Sequence, residues 1–377
     1  MNNRYQICKN CIMDTTDSKI RFNDDGLCDY CLGYKNKILS KWEPNKDRTE
    51  ELIKISGVIK NKTRKDKYDC IIGMSGGTDS SYLLYVATKI MKLRPLVYTV
   101  DTGWNTDIAN LNIKKIVDKL GLTLYVEKIN EEEMNDLQIS FLKSNVPYQD
   151  FPQDHAIFAG LYNFAIKNKI KYVLTGANNS TEGIRPPIEW VYVNDLKLMK
   201  SIHKQFGKVK LDTFPMCSMF KYRVFYPYFK GMKRIAPLDY LPYEKDKVEE
   251  FLKNEFGWEK YENKHYENVF TRFYEGYYLP QKFNFDKRRS YFTNLILTNQ
   301  MTRDEALKQI SKQPYDSKLV MEDKLTIATK LNISINELEQ YISGSNKSYK
   351  DYKNSFRRIN LYLKIANIFG KEKRNFR

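Results

Sequence analysis

No stretch of this chain approaches the ~18 consecutive apolar residues that a membrane-spanning helix needs. The N-terminus, Met1-Asn2-Asn3-Arg4-Tyr5-Gln6, runs straight into a cysteine pair with no apolar segment, so no secretory signal is expected. There is no internal repeat and no low-complexity linker. Membrane-spanning, secreted and collagen-like classes are set aside, and a cytoplasmic protein with no membrane partner is expected. Hydrophobic residues make up 42% and charged residues 29%, the balance of a globular chain and not of a disordered one. With 377 residues there is room for two or three domains, each with its own core.

Charge says less than its size suggests. Lys+Arg 63 against Asp+Glu 46 gives +17, which suits nucleic acid or another polyanion. The excess is mostly lysine, however, spread among many asparagines, isoleucines and tyrosines. That texture reads as a diffuse solvated surface, and nucleic acid is not the expected partner. A nucleotide or nucleotide-sugar substrate needs only a local basic pocket.

Cysteine is scarce and unevenly placed: four of the six fall within the first 31 residues. Cys8-x2-Cys11 and Cys28-x2-Cys31 are two pairs separated by 16 residues, a spacing that supplies a tetrahedral four-thiolate site. A disulfide is disfavoured in the cytosol. Zinc fits best, and iron in a rubredoxin-like site is the alternative. Such a site has no open coordination position, so its expected role is to fold a zinc-ribbon-like segment too short for a core of its own. Cys70 and Cys217 have no cysteine neighbour and read as packed, inert thiols.

The texture changes along the chain. Residues 1–45 form the four-cysteine zinc-binding segment, followed by a lysine-rich amphipathic stretch over 46–67. From Tyr68, β-rich runs at 69–74, 95–100, 122–126 and 171–175 alternate with helix-length segments such as 80–91 and 105–120. That alternation predicts an α/β fold, a parallel sheet sandwiched by helices, over 46–241. Beyond about residue 242 the strands thin out. Thr302-Arg303-Asp304-Glu305 and Ser334-Ile335-Asn336-Glu337 both match the helix capping box, so 242–377 is expected to be a mainly helical C-terminal region.

The first β-run ends in Ser75-Gly76-Gly77-Thr78-Asp79-Ser80, and a helix follows. Two glycines let the main chain approach an anion, while hydroxyls and helix N-terminal amides point at it. Asp79 is placed to hold Mg²⁺ between phosphates. The dinucleotide pattern G-x-G-x-x-G is absent, and so is the lysine of G-x-x-x-x-G-K-[ST]. Ser75–Ser80 resembles the SGGxDS signature of the PP-loop ATP pyrophosphatases, which split ATP to AMP and pyrophosphate on a HUP-like fold. By that likeness ATP contacts fall on Ser75, Gly76, Gly77, Thr78, Asp79 and Ser80. Val100 and Asp101 at the end of the second strand, and Gly176 after the fourth, complete the set.

The nucleophile is narrowed by two further absences. There is no G-x-C-x-G glutaminase elbow, and the second residue is Asn2, so no N-terminal cysteine nucleophile is expected. Sulfur transfer needs a reactive cysteine near the site, and Cys70 and Cys217 lack an activating neighbour.

Two blocks carry a finer resemblance. The opening from Cys8 to Cys31 is similar to that of the N-acetyl sugar amidotransferases, the WbpG/PseA-like family. So are Lys264-His265-Tyr266-Glu267, Thr271-Arg272-Phe273-Tyr274-Glu275-Gly276-Tyr277-Tyr278-Leu279-Pro280, Lys282-Phe283-x2-Asp286-Lys287-Arg288-Arg289, and Met301-Thr302-Arg303-Asp304-Glu305-Ala306. The resemblance implies that ATP adenylates the acetamido oxygen of a nucleotide-linked sugar and ammonia replaces AMP, leaving an acetamidino sugar for O antigen or flagellin glycans. It implies ATP, Mg²⁺ and Zn²⁺ as cofactors, and separate glutaminase and cyclase-like subunits that deliver ammonia. Within that frame Lys287, Arg288 and Arg289 are expected on the nucleotide-sugar phosphates, though three consecutive basic residues also read as a solvated face. Arg272 and the tyrosines at 274, 277 and 278 line a sugar or base pocket or else a core edge. His265 is the candidate proton shuttle, with His155 a second, although each histidine reads more readily as structural. Glu182 and Arg185, just past the fourth strand, are placed to face the acetyl group. The alternative is a PP-loop tRNA-modifying thiolase, whose zinc knuckles and positive charge would serve RNA. No thiol pair near the loop counts against it.

Overall fold

Four short β-rich runs of the sequence and one further segment become the strands of one sheet. In the computed structural model, which describes residues 5–192, 194–262 and 264–368, these are β1 (Cys70–Gly73), β2 (Pro95–Asp101), β3 (Thr123–Lys128), β4 (Tyr172–Leu174) and β5 (Lys233–Ile235). All pairings are parallel, in the order β3-β2-β1-β4-β5. Parallel strands need crossovers, and these cover both faces.

The alternation of side chains along each strand splits the core in two. Ile72 stands opposite Val97 and Leu174. These three face Leu83, Ile113 and Leu252 from helices Thr78–Tyr85, Asp107–Leu120 and Lys245–Phe256. Ile71, Tyr98 and Val173 face the other way, onto Ala159 and Tyr162 of helix Phe151–Lys167. The α/β sandwich expected from the sequence is therefore the observed fold.

Local chemistry accounts for the boundaries. The helix expected over 105–120 begins at Asp107 because the Thr106 side chain accepts from the Ala109 amide. It ends at Gly121, whose φ of 64° is left-handed. The helix expected over 80–91 is Thr78–Tyr85, continued by a π-helical turn at Val86–Ile90. Strand β5 has no counterpart among the β-rich runs of the sequence. It has only three residues, two of them Lys233 and Arg234, a composition that suits a sheet edge and hides it from a search for apolar runs.

Both capping boxes form, at Thr302/Glu305 and Ser334/Glu337. Beyond β5 the described residues hold helices and turns and no strand. Among the described residues no helix is long and apolar enough to cross a membrane.

The strand order fixes where a ligand sits. The chain moves outward from β1 to β3, then crosses back to place β4 on the other side of β1. The loops after β1 and β4 therefore diverge, and the crevice between them at the carboxyl ends is the ligand position of open α/β sheets.

Candidate functional site

The loop after β1 is built around glycine. Gly76 has a φ of 85°, and a Cβ there would lie 2.8 Å from the Ala109 carbonyl oxygen, so no other residue fits unstrained. Its own carbonyl accepts from Trp258 Nε1 at 3.0 Å and from the Tyr261 hydroxyl at 3.2 Å. Ser75 Oγ and Ser80 Oγ stand 3.2 Å apart across the loop, and the Gly77 amide donates to Ser75 Oγ. With Gly77 as N-cap, no side chain caps helix Thr78–Tyr85, which leaves its first amides for an anion. The Thr78 hydroxyl turns instead to Glu249, at 3.2 Å. Across the crevice, a Cβ on Gly176 would meet the Asp79 backbone at 3.1–3.2 Å, so the β4 loop closes directly on the Ser75–Ser80 loop.

Asp79 is the carboxylate at this junction. Asn178 Nδ2 donates to its Oδ1 at 3.2 Å, and the Tyr243 hydroxyl donates to the same oxygen. Burial raises its pKa and the Glu182 charge raises it further, against the pull of Lys264, Tyr243 and Lys245. Glu182 pairs with Lys264 at 3.0 Å. Lys264 and Lys245 both lie over the Tyr291 ring, about 5 Å from its centroid. Burial works against the Lys264 charge, but Glu182 and Asp79 outweigh it and hold the ammonium protonated. Asp79, Glu182 and the two serine hydroxyls are hard oxygen donors, a set that fits Mg²⁺.

Two cavities open from the crevice. The larger, about 1270 Å³, is lined by Gly176, Asn178, Glu182, Arg185, Arg234 and Lys264, among others. The smaller, about 370 Å³, lies under Ser75, Tyr98, Val100 and Tyr274. Asp154, His265, Glu275 and Lys287 line both. Glu275 and Lys287 form an ion pair there. His265 has a φ of 68°, unusual for a residue with a Cβ, and its ring nitrogen lies 3.8 Å from Glu267. Burial disfavours its charge, but Glu275 and Glu267 raise its pKa overall. Burial and the neighbouring Asp154 and Glu275 push Asp150 up to about 8. The cleft walls raise Asp154 to about 6, with Lys287 and His265 opposing.

The basic run at 287–289 divides. Lys287 faces the cavities, paired with Glu275. Arg288 binds Asp286 and the carbonyls of Gln309, Ile310 and Lys312 at the end of helix Arg303–Ile310. Arg289 pairs with Asp14 and donates to the Ile12 carbonyl. Arg272 forms a two-bond ion pair with Asp323, at 2.7 and 2.6 Å, that ties helix Val269–Phe273 to helix Ser317–Lys330. It borders the larger cavity, but its fork is committed to that pair. Val100 lines the smaller cavity, whereas Asp101 accepts from the Gly103 amide in the turn after β2. His155 is buried behind the site, stacked on Phe151, with Nε2 accepting from the Cys217 amide. Burial pushes it down to about 4, the behaviour of a structural histidine.

Several residues at the site have no sequence signal. Asp150 and Asp154 lie on no motif, and Tyr243 and Lys245 come from a connection that reads as featureless. Lys264 and Glu275 fall inside the blocks that carry the family resemblance, which is the one available pointer to them.

The four cysteines meet as their spacing predicts. All four sulfurs lie within 4.8 Å of one another and all are buried. The Cys8–Cys31 and Cys11–Cys28 separations are 3.8 and 3.5 Å. Tetrahedral thiolates on a Zn–S bond of about 2.3 Å stand about 3.8 Å apart. The amides of Asn10, Met13 and Cys28 donate to the sulfurs, as they do around thiolates. The donor set fits zinc. Arg303 donates to the Cys8 and Cys11 carbonyls, fastening this knuckle to the C-terminal helices.

Residues 267–365 match the family model described as LPS biosynthesis protein WbpG-like, C-terminal domain. A search of curated proteins finds no match. Among solved structures the chain is similar to an NH3-dependent NAD synthetase from Campylobacter jejuni in complex with the nitrate ion. Identity there is 13%, over 79% of this chain and 98% of that one, with a TM-score of 0.31. It is also similar to a predicted subunit of tRNA methyltransferase from Methanocaldococcus jannaschii, at 12% identity over 49% of this chain and 73% of that one, TM-score 0.29. Likenesses at these scores add nothing to the strand order and loop geometry above. Residues 267–365 therefore carry a WbpG-like C-terminal domain, in line with the resemblance read from that part of the sequence.

Proposed function

We propose that the protein is an ATP-dependent amidotransferase that converts the N-acetyl group of a nucleotide-linked sugar to an acetamidino group, forming AMP and pyrophosphate. The observation that carries this reading is the glycine loop with Asp79 at the sheet's switch point, its Ser75 lining the smaller of two cavities that share four ionisable side chains. The smaller cavity is of a size for a nucleoside, beside Val100 and Ser75. The larger has room for a second nucleotide with its sugar. The WbpG-like match over residues 267–365, to a domain described from lipopolysaccharide biosynthesis, points the product toward bacterial surface polysaccharide.

The chemistry asked of the chain is mostly positioning and charge stabilisation. Loop amides and the Ser75 and Ser80 hydroxyls hold the phosphates. Mg²⁺ on Asp79, when bound, offsets the charge that builds on the departing pyrophosphate. Lys264, kept charged by Glu182, lies where it aids the same step. The acetamido oxygen attacks the α-phosphorus, and ammonia then displaces AMP from the activated carbon. The four-cysteine knuckle serves the fold. Ammonia comes from a separate glutaminase. A thiolase draws no support, since Cys70 and Cys217 are buried and line neither cavity.

Purified protein with ATP, Mg²⁺ and an N-acetylated nucleotide sugar should form an amidine when ammonium is supplied, with AMP appearing in step. Glutamine alone should fail. AMP release that ignores ammonium and requires tRNA would contradict the proposal.

A further inference from the structure

The junction between the two cavities holds one carboxylate that stands apart from its neighbours. Glu275 is tied to Lys287. Glu267 faces His265, and both lean toward their charged forms, although burial opposes each. Asp150, one helical turn before Asp154, is buried and accepts from Gln153 Nε2 and Thr271 Oγ1 at 3.0 and 3.2 Å. Asp154 is exposed within the cleft and lines both cavities. Among the described residues no side chain donates a hydrogen bond to its carboxylate.

We propose that Asp154 is the general base of the amination step, taking the proton from nitrogen as ammonia bonds to the activated acetyl carbon. This rests on the amidotransferase reading.

The bookkeeping requires such a group. Attack by the amide oxygen on the α-phosphorus leaves an O-adenylyl imidate that still carries its N–H and a positive charge. The ammonia lone pair forms a C–N bond, and the C=N π pair returns to the sugar nitrogen. The new nitrogen now bears three hydrogens and a positive charge, and has no pair with which to expel AMP. It is itself the better leaving group. When an N–H bond breaks toward Asp154, its electron pair stays on nitrogen, re-forms a C=N bond and drives the C–O pair out with AMP. The products are an amidinium, AMP and a protonated Asp154, which returns its proton to solvent through the open cleft.

The surroundings suit the task. Asp154 is raised to about 6 by the cleft walls and Glu275, with Lys287 and His265 holding it from going higher. It is ionised at neutral pH and is a stronger base than an ordinary carboxylate. Asp150, pushed up to about 8, is protonated there and adds little repulsion.

The test is single-turnover kinetics on Asp154→Asn, using ATP, Mg²⁺, ammonium and UDP-N-acetylglucosamine or a CMP-linked N-acetyl sugar, whichever the wild type converts. The variant should release pyrophosphate in a first-turnover burst like the wild type but form amidine at least ~100-fold more slowly. Hydroxylamine, whose less basic adduct sheds its proton to water, should recover product formation in the variant. At constant free ammonia, wild-type amination should fall as pH drops through about 6, and the variant should lose that limb. Asp154→Glu, which keeps a carboxylate, should retain part of the rate, and ATP binding and circular dichroism report folding independently. Near-normal amination by Asp154→Asn, or loss of its pyrophosphate burst while folded, would overturn the assignment and leave the amidotransferase reading standing. A wild type that makes pyrophosphate but no amidine from any acceptor would remove both.

Discussion

Arg289 reaches from the first turn of a C-terminal helix to Asp14 of the cysteine knuckle, its guanidinium 2.9 Å from a carboxylate with no solvent exposure. A residue that reads in sequence as one of three phosphate-binding cations instead fastens the cysteine knuckle to helix Arg288–Leu297. Arg289→Leu leaves Asp14 buried with only Tyr5 and Thr16 as donors. We expect a loss of about 2–4 kcal/mol, measured by urea unfolding. The phosphate-gripping role predicts normal stability with weakened nucleotide-sugar binding.

The knuckle itself should hold about one zinc per chain by elemental analysis. Cys8→Ser should lower folded yield more than it alters substrate preference, because the site closes a segment that has little other core. Iron–sulfur absorbance, or a metal-free protein that melts normally, would count against this.

Asp79→Asn keeps the shape and the Tyr243 and Asn178 neighbours but removes the charge. Pyrophosphate formation should fall by ~10³-fold or more while the circular dichroism spectrum is unchanged. Near-normal turnover in this variant would contradict the role given to the phosphate loop.

Asp150 gives a stability prediction with a definite sign. Its folded pKa, about 8, lies above the ordinary carboxylate value, so the folded state binds the extra proton. Stability therefore declines as pH rises from the usual carboxylate range through about 8. Asp150→Asn should leave the melting temperature almost unchanged in mild acid and stabilise the protein by about 1–3 kcal/mol near pH 9. Equal effects at both pH values would argue against a neutral Asp150.

Much of this architecture is legible in sequence because the signals are local. Paired cysteines, the Ser75–Ser80 loop between a strand and a helix, and two capping boxes each lie within a few residues, and each forms as read. What is not legible is what the fold assembles from distant parts. Asp154 comes from one helix, His265 from a loop, Glu275 from a π-helical turn and Lys287 from the start of another helix. The run Lys287-Arg288-Arg289 misleads for a geometric reason. Successive positions at a helix start point about 100° apart, so one patch in sequence becomes three separate contacts in space. Strand β5 is hidden by its length and its two basic residues.

The central claim is that the acetyl oxygen of the acceptor attacks the α-phosphorus of ATP. Its most direct test is isotope transfer, with the acceptor's acetyl carbonyl labelled with heavy oxygen and the products separated after turnover with ammonium. The account predicts that the label appears in AMP, with none in pyrophosphate and none in the amidino sugar. Unlabelled AMP, formed while the label stays in the sugar, would contradict it.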